Sequence, residues 1–247
     1  MALMKTANPA LSASAFQDQV GAMGETMTLS GTINKTGILL VCVVATAAWT
    51  WNEFSRAPEM VGPLVAVGAI GGLIVALVTV FKKQWSPVTA PLYALLEGLV
   101  LGSVSAMLEA RFPGIPMQAV GLTFGTLAVL LLAYRSGLIP VTQKFKLGIV
   151  AATGGIALFY LIMIVLGFFG VHFTAINGSG AIGIGFSLFV VGIAALNLVL
   201  DFDFIESGVR AGAAKYMEWY AAFGLMVTLI WLYLEILRLL SKIRSRD

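Results

Sequence analysis

The chain is short of charged side chains. Charged residues fill 11% of its 247 positions and hydrophobic residues fill 59%, whereas a typical soluble domain is about 25% charged and about 45–50% apolar. So few ionic groups cannot cover the surface of a soluble protein of this length. The composition therefore excludes a typical soluble enzyme and a disordered chain, and it indicates that lipid surrounds most of the protein.

Cysteine and histidine are scarcer still. The single cysteine, Cys42, excludes a disulfide within the chain, and the single histidine, His172, excludes a zinc site that needs several histidines. His172 lies between two apolar runs and is predicted to be an exposed loop residue. We expect no enzyme activity, because hydrolysis within a membrane usually needs a nucleophile–base pair or a metal with several His ligands. Two aspartates forming a catalytic dyad remain the one enzymatic alternative.

Long apolar runs make up most of the remaining sequence. A helix needs about 20 mainly apolar residues to cross the hydrocarbon core of a bilayer, and the gaps between charges predict seven such helices. The predicted spans are residues 36–51, 60–81, 88–108, 116–134, 147–167, 181–200 and 219–240. The predicted fold is an all-α polytopic membrane protein, with an extramembrane tail over 1–33, a transmembrane domain over 34–242 and a basic tail over 243–247.

The distribution of basic residues predicts the orientation. Lysine and arginine are enriched on the cytoplasmic side of membrane proteins, and here they favour the N-terminal tail and the even-numbered connections, which we expect to be cytoplasmic. The basic residues are scattered and the net charge is only +3, which argues against a nucleic-acid-binding surface. The C-terminus conflicts with seven crossings, because its four basic residues also favour the cytoplasm. Either the last segment does not cross completely, or this end violates the rule.

Three pairs of glycines have the spacing that lets helix backbones approach closely. The pairs are Gly68 with Gly72, Gly98 with Gly102, and Gly121 with Gly125. We interpret them as packing sites within the bundle, with dimerisation as the alternative.

Acidic residues inside predicted spans are the main functional candidates, because an ionisable group in hydrocarbon is costly. Glu97 lies in the middle of the third span, Asp201 and Asp203 follow the sixth, and Glu235 lies in the seventh. Asn197 lies one helical turn before Asp201 on the same face. Structural alternatives remain for each: an ion pair of Glu235 with the residue three positions later, an ordinary helix end at 201–206, and a distant partner for Glu97.

Carboxylates that meet in a low-dielectric space either share a proton or bind a cation. Their oxygens suit calcium, which takes six to eight oxygen ligands. A pair that shares a proton at acidic pH and separates at neutral pH is a pH-dependent gate. Lys82 and Lys83, after the second span, are candidate counter-ions that latch it.

Three strings resemble the Bax inhibitor-1 family, also called the transmembrane BAX inhibitor motif family. LNLVLDFDFIE at 196–206 resembles the end of its sixth helix, LYLEILRLL at 232–240 its last helix, and YALLEG at 93–98 its third. The resemblance covers roughly residues 30–242. DFDFIE, together with KYMEWY at 215–220, is similar to a bacterial branch, and a bacterial origin implies a location in the inner membrane.

The resemblance implies six helices around a central seventh, and a proton-sensitive calcium leak. The motif match implies that Asp201 and Glu235 are the acidic pair that senses pH, with tentative calcium binding, although Asp203 is an alternative sensor. Glu97, Asp203 and Asn197 would support the ion pathway, and Lys82 or Lys83 would be the latch. The alternative function is a regulatory scaffold that binds other membrane proteins, such as a quality-control protease, through its N-terminal tail.

Overall fold

The computed structural model describes residues 25–170, 176 and 178–246, and this part of the chain is built from seven long helices. Each helix is long and apolar enough to cross a membrane, as the sequence predicts. The helices are α1 (Leu29–Arg56), α2 (Val61–Phe81), α3 (Ser86–Arg111), α4 (Ile115–Arg135), α5 (Gln143–Phe168), α6 (Ala181–Arg210) and α7 (Met217–Arg244). His172 and Asn177 lie outside the described residues, as does the tail up to residue 24.

Several helices extend beyond the predicted spans. The largest differences are in α1, which begins at Leu29 instead of residue 36, and in α6, which ends at Arg210 instead of residue 200. Gaps between charges define only the apolar part of a helix, whereas backbone hydrogen bonding continues where the side chains are polar. Asp201 and Asp203 therefore lie within α6. The prediction that they follow the end of the sixth helix is wrong.

The chain crosses back and forth between two ends of the bundle. The described N-terminal residues and the connections at 82–85, 136–142 and 211–216 lie at one end, called the N-terminal end below. The connections at 57–60 and 112–114 and the C-terminus of α7 lie at the other, called the C-terminal end. Helix α7 is continuous between the two ends and is long and apolar enough to cross a membrane, which favours a complete crossing by the last segment.

Helix α7 is the most buried helix. In its most apolar window 61% of the residues are buried, against 11–44% for the other six helices. It packs against α1, α3, α4 and α6. The core follows this helix and includes Tyr220, Phe223 and Leu232 of α7 together with Leu198 of α6.

A basic residue near the C-terminus, Lys242, forms hydrogen bonds inside the protein. The Lys242 ammonium donates to the carbonyl oxygens of Ile176 and Gly183, at 2.7 and 3.1 Å, and to Ser187 Oγ at 2.9 Å. These three acceptors use all three of its hydrogens. The positive charge of Lys242 is therefore compensated within the bundle, so this residue does not indicate which side of the membrane the C-terminus faces.

The glycine pairs differ in what surrounds them. A Cβ at Gly98 would meet the carbonyl oxygen of Val43, and one at Gly102 would meet that of Ala47, so both glycines allow α3 to approach α1 closely. Gly68 and Gly72 similarly face α3. Gly121 and Gly125 have open space where a Cβ would lie. Packing within the bundle is therefore confirmed for two of the three pairs.

We expect Gly102→Ala to destabilise the protein by about 1–3 kcal/mol, the usual cost of overpacking, because the added methyl group meets backbone that cannot rotate away. The matched control, Gly125→Ala, adds the same group in open space and should leave stability unchanged or raise it by up to about 1 kcal/mol through helix propensity. Thermal unfolding of both variants in detergent measures the difference. Equal Tm values would contradict the close approach of α1 and α3.

Candidate functional site

The four predicted acidic residues occupy two kinds of environment. Asp201 and Glu235 are deeply buried, with 1% and 3% of their surfaces exposed. Glu97 and Asp203 are half-buried. The first two lie on α6 and α7, which pack directly against each other. This arrangement places one buried carboxyl group on the most buried helix and another on a helix packed against it.

Glu235 belongs to a cluster with Tyr160 and Arg238. Arg238 Nη1 donates to Glu235 Oε1 at 3.1 Å, and the Tyr160 hydroxyl donates to the same oxygen at 3.0 Å. The guanidinium also lies 4.9 Å from the centre of the Tyr160 ring. The ion pair predicted from the three-residue spacing is confirmed, and Tyr160 extends it to α5.

Asp203 and Asn197 both connect α6 to α5. Asp203 Oδ2 accepts from the Lys146 ammonium at 2.5 Å. Asn197 Nδ2 donates to Thr153 Oγ1 at 2.8 Å and to the carbonyl oxygen of Ile193 at 2.8 Å. Asn197 is therefore committed to α5 and to its own helix. Its predicted role in supporting an ion pathway is untested, as is that of Asp203.

Asp201 lies on the side of α6 that faces α7. Gly183 and Ser187, which accept hydrogen bonds from Lys242 of α7, lie eighteen and fourteen residues before Asp201. At 3.6 residues per turn, these separations place all three residues on one stripe of the helix. The buried surface of Asp201 therefore belongs to the contact between α6 and α7.

Asp201 and Glu235 nevertheless lie at different depths. Asp201 is nine residues before Arg210, where α6 ends, and Glu235 is eighteen residues after Met217, where α7 begins. At 1.5 Å per residue, these positions are about 14 and about 27 Å from the N-terminal end, so the carboxylates differ by about 13 Å along the bundle. This conformation does not bring together the acidic pair that the resemblance implies. Asp201 lies level with Met226 instead.

Glu97 shares its depth with Asp201 but faces another helix. Ser86 Oγ donates to the carbonyl oxygen of Tyr216 at 3.0 Å, and Ser105 Oγ lies 2.7 Å from the Tyr233 hydroxyl, so α3 and α7 run side by side. Interpolation between these contacts places Glu97 level with Met226. Its carboxylate lies beside Gly72 of α2, where an added Cβ would be 2.9 Å from Oε1.

The candidate latch residues lie at the N-terminal end, between α2 and α3. Lys82 is exposed. The Lys83 ammonium lies 6.0 Å from the centre of the Tyr220 ring of α7. Lys83 is thus the one of the two that reaches α7, while a latch function remains a prediction for both.

A cavity of about 830 Å³ opens at the N-terminal end between α1, α4 and α6. Asp203 and Glu206 line it, together with Tyr134 and Arg135. Phe202 and Leu225, which neighbour Asp201 and Met226 in sequence, also line it. The cavity therefore extends from the polar end of the bundle to the depth at which Asp201 is buried.

The described residues do not gather a metal site. Among them, no three side chains of the types His, Cys, Asp and Glu lie close enough to hold a metal ion together. The tentative assignment of Asp201 and Glu235 as joint calcium ligands also conflicts with their difference in depth. What the arrangement offers a cation is a series of separate carboxylates.

A third buried carboxylate anchors the described N-terminal residues. Glu218 of α7 is 0% exposed, and its Oε1 accepts from the backbone N–H and the hydroxyl of Thr28, each at 2.8 Å. Its other oxygen accepts from the Lys35 ammonium. Met27 N–H donates to the carbonyl oxygen of Ala213 at 2.7 Å. We call this contact between 25–28 and the α6–α7 connection the N-terminal clasp.

Sequence reasoning missed Tyr160, Lys146 and Glu218. Tyr160 had a detectable signal, because it is a hydroxyl group within the longest uncharged run. Lys146 falls in the connection between the predicted spans 116–134 and 147–167, which is one of those expected to be cytoplasmic, yet its side chain is only 7% exposed. Glu218 gave no such signal, since a carboxylate at the start of a helix is common on protein surfaces.

A sequence model described as Bax inhibitor 1 like matches residues 8–245, nearly the whole chain. No curated protein and no solved structure matches the chain significantly.

We expect Glu218→Gln to destabilise the protein by about 3 kcal/mol, because removing one partner of a buried ion pair leaves the other uncompensated. Amide hydrogen exchange at Met27 and Lys215 should become faster, which locates the effect in the N-terminal clasp. The control is Glu206→Gln: the exposed pair of Glu206 with Arg210, at 3.7 Å, should be worth about 1 kcal/mol or less. Equal losses in the two variants would contradict the anchoring role of Glu218.

Proposed function

The chain belongs to the Bax inhibitor 1 like family, and we propose that it is a calcium-permeable leak channel whose conductance falls at acidic pH. The observation that carries the proposal is the burial of Asp201 and Glu235 at two depths of a bundle that has the form of a membrane domain. Charge buried at this depth is costly, and in membrane proteins it commonly marks an ion pathway.

Two separated carboxylates suit permeation better than tight binding. A permeant ion must be attracted strongly enough to enter and weakly enough to leave, which several sites in series accomplish. The cavity at the N-terminal end provides an entry lined by Asp203 and Glu206, and it extends to the depth of Asp201. The carboxylate of Glu235, on α7, lies about 13 Å beyond the level of Asp201 towards the C-terminal end.

We assign the pH response to protonation of these carboxylates. A protonated Asp201 no longer attracts a cation, so the leak decreases as the pH falls. Glu235 is different, because Arg238 and the Tyr160 hydroxyl both face it. Protonation of Glu235 weakens its pairing with Arg238 and leaves a positive charge in the pathway, which also opposes cation flow. Asp203 lines the cavity at the N-terminal end and is paired with Lys146, and we assign it to ion entry.

We further propose that the N-terminal end faces the cytoplasm of a bacterial cell, with the protein in the inner membrane. Most of the basic residues at this end are at or near helix ends, including Lys82, Lys83 and Arg135. Among the described residues, lysine and arginine are more numerous at the N-terminal end than at the C-terminal end, and this excess favours the orientation that we propose.

Calcium flux into dye-loaded liposomes tests the two carboxylates separately. We expect Asp201→Asn and Glu235→Gln each to reduce the leak and flatten its pH profile. Because the sites are about 13 Å apart, the changes in activation free energy calculated from the two leak rates should add in the double variant to within about 0.5 kcal/mol. Asp203→Asn is the matched control and should keep the pH response.

The possible results are distinct. If the double variant behaves like either single variant, the two carboxylates act as one proton-sharing pair, and the separated arrangement is wrong. If neither single variant changes the flux or its pH dependence, the channel proposal itself is wrong. Size-exclusion profiles of each variant confirm that the protein is folded before flux is compared.

The scaffold remains a second proposal, because the N-terminal clasp holds residues 25–28, which follow the rest of the tail, beside the α6–α7 connection. Deleting residues 1–24 leaves Thr28 and the clasp intact, whereas a longer deletion to residue 30 would remove them and destabilise the protein. We expect the shorter deletion to leave the leak unchanged. Loss of a co-purifying membrane protein with an unchanged leak would support the scaffold in addition, and loss of the leak would contradict an intrinsic channel.

A further inference from the structure

A second cavity, of about 510 Å³, lies between α1 and α4 in the C-terminal half of the bundle. Its floor is formed by α3 and α7, including Tyr233, and its sides by Val44 and Ala48 of α1 and by Met117 and Val120 of α4. Helices α1 and α4 both pack against α7 but not closely against each other. The space between them is therefore a gap in the helix packing at membrane depth.

Four polar side chains in this wall, those of Ser105, Glu109, Thr123 and Tyr233, form hydrogen bonds within the protein. Ser105 Oγ and the Tyr233 hydroxyl bond each other at 2.7 Å, and Thr123 Oγ1 donates to the carbonyl oxygen of Ala119 at 2.7 Å. Glu109 Oε2 accepts from the Gly114 N–H at 2.8 Å. A buried water needs two to four polar partners, and apolar cavities stay dry. An apolar occupant fits this cavity better than water or an ion.

The cavity has the length of one lipid leaflet. On α1 it extends from Leu40 to Trp51, and on α4 from Gly114 to Phe124. These segments are about 16 and about 15 Å long at 1.5 Å per residue. The hydrocarbon core of a bilayer is about 30 Å thick, so the cavity extends from near its middle to the surface at the C-terminal end.

The cavity also opens sideways. Val44 and Ala48 of α1 are exposed, and so are Met117 and Val120 of α4, with Met117 76% exposed. In a bilayer these residues face lipid, so a hydrocarbon chain can enter between α1 and α4 without crossing the polar surface. The volume lies within the range of about 300–1,000 Å³ that is usual for ligand pockets.

We propose that this cavity binds one acyl chain of a bilayer phospholipid from the leaflet at the C-terminal end. The chain buries apolar surface on four helices and fills a gap that the side chains leave open. The site is separate from the carboxylates of the leak pathway, and the proposal does not depend on ion conduction.

Photo-crosslinking of the full-length protein in phosphatidylcholine vesicles tests the site, with a fraction of the lipid carrying a diazirine in the middle of one acyl chain. We expect adducts to concentrate on Val44, Ala48 and Val120. Ile70 of α2 and Leu161 of α5 are also exposed but lie outside the cavity lining, and they should carry few. Adducts spread evenly over all five positions would show only the lipid that surrounds any membrane protein and would overturn the proposal.

Ala48→Trp places a large side chain in the cavity, and Ala45→Trp adds the same side chain at an exposed position outside it. We expect Ala48→Trp to lower adduct formation at Val120 about tenfold relative to Ala45→Trp, the factor that corresponds to losing the burial of about two methylene groups. Equal labelling in the two variants would overturn the proposal.

If Ala48→Trp does not fold, a comparison of Val120→Trp with Val129→Trp makes the same test from α4, with adducts counted at Ala48. The measurement contains no calcium, so its failure is distinguishable from failure of the leak proposal.

Discussion

A charged side chain deep in this bundle needs a partner inside the protein, because hydrocarbon offers none. Glu218 takes its partners from the N-terminal residues, Glu235 from α5 and its own helix, and Lys242 from backbone carbonyls and a hydroxyl. All three lie on α7. The most buried helix is thus also the one whose charges tie the surrounding segments together, and the position of α7 depends on these contacts as much as on apolar packing.

The short connection between α6 and α7 determines which of these charges can meet. Helix α6 continues for nine residues beyond Asp201, whereas α7 needs eighteen residues to reach Glu235. Two antiparallel helices joined by a short turn align residues that are equally far from it. Because the two arms are unequal, Glu235 passes the level of Asp201 and pairs with Tyr160 and Arg238 instead.

The sequence was sufficient for the number of helices and for two of the buried acidic residues, Asp201 and Glu235, because hydrocarbon restricts both strongly. It was not sufficient for the pairing of those residues. The sequence similarity of LYLEILRLL assigned Glu235 to the acidic pair. The depth of Glu235 relative to Asp201, however, depends on where α6 ends. The charged residues after position 200 concealed that this helix continues to Arg210. Lys146 was misplaced for a related reason: a lysine near a predicted helix end is assigned to solvent unless its partner, here Asp203, is known to reach it.

The separation of Asp201 and Glu235 changes what a proton can do. Two unit charges 13 Å apart interact by only about 1 kcal/mol at an effective dielectric constant of about 20, against about 4 kcal/mol at 4 Å. The larger value forces two carboxylates to share a proton, whereas the smaller one lies below the coupling at which groups titrate as a pair. In this conformation the surroundings of the two carboxylates are therefore separate: Asp201 lies at the α6–α7 contact, and Glu235 lies beside Arg238. The gate that we propose would therefore respond to protonation in two independent steps, one at each depth of the bundle.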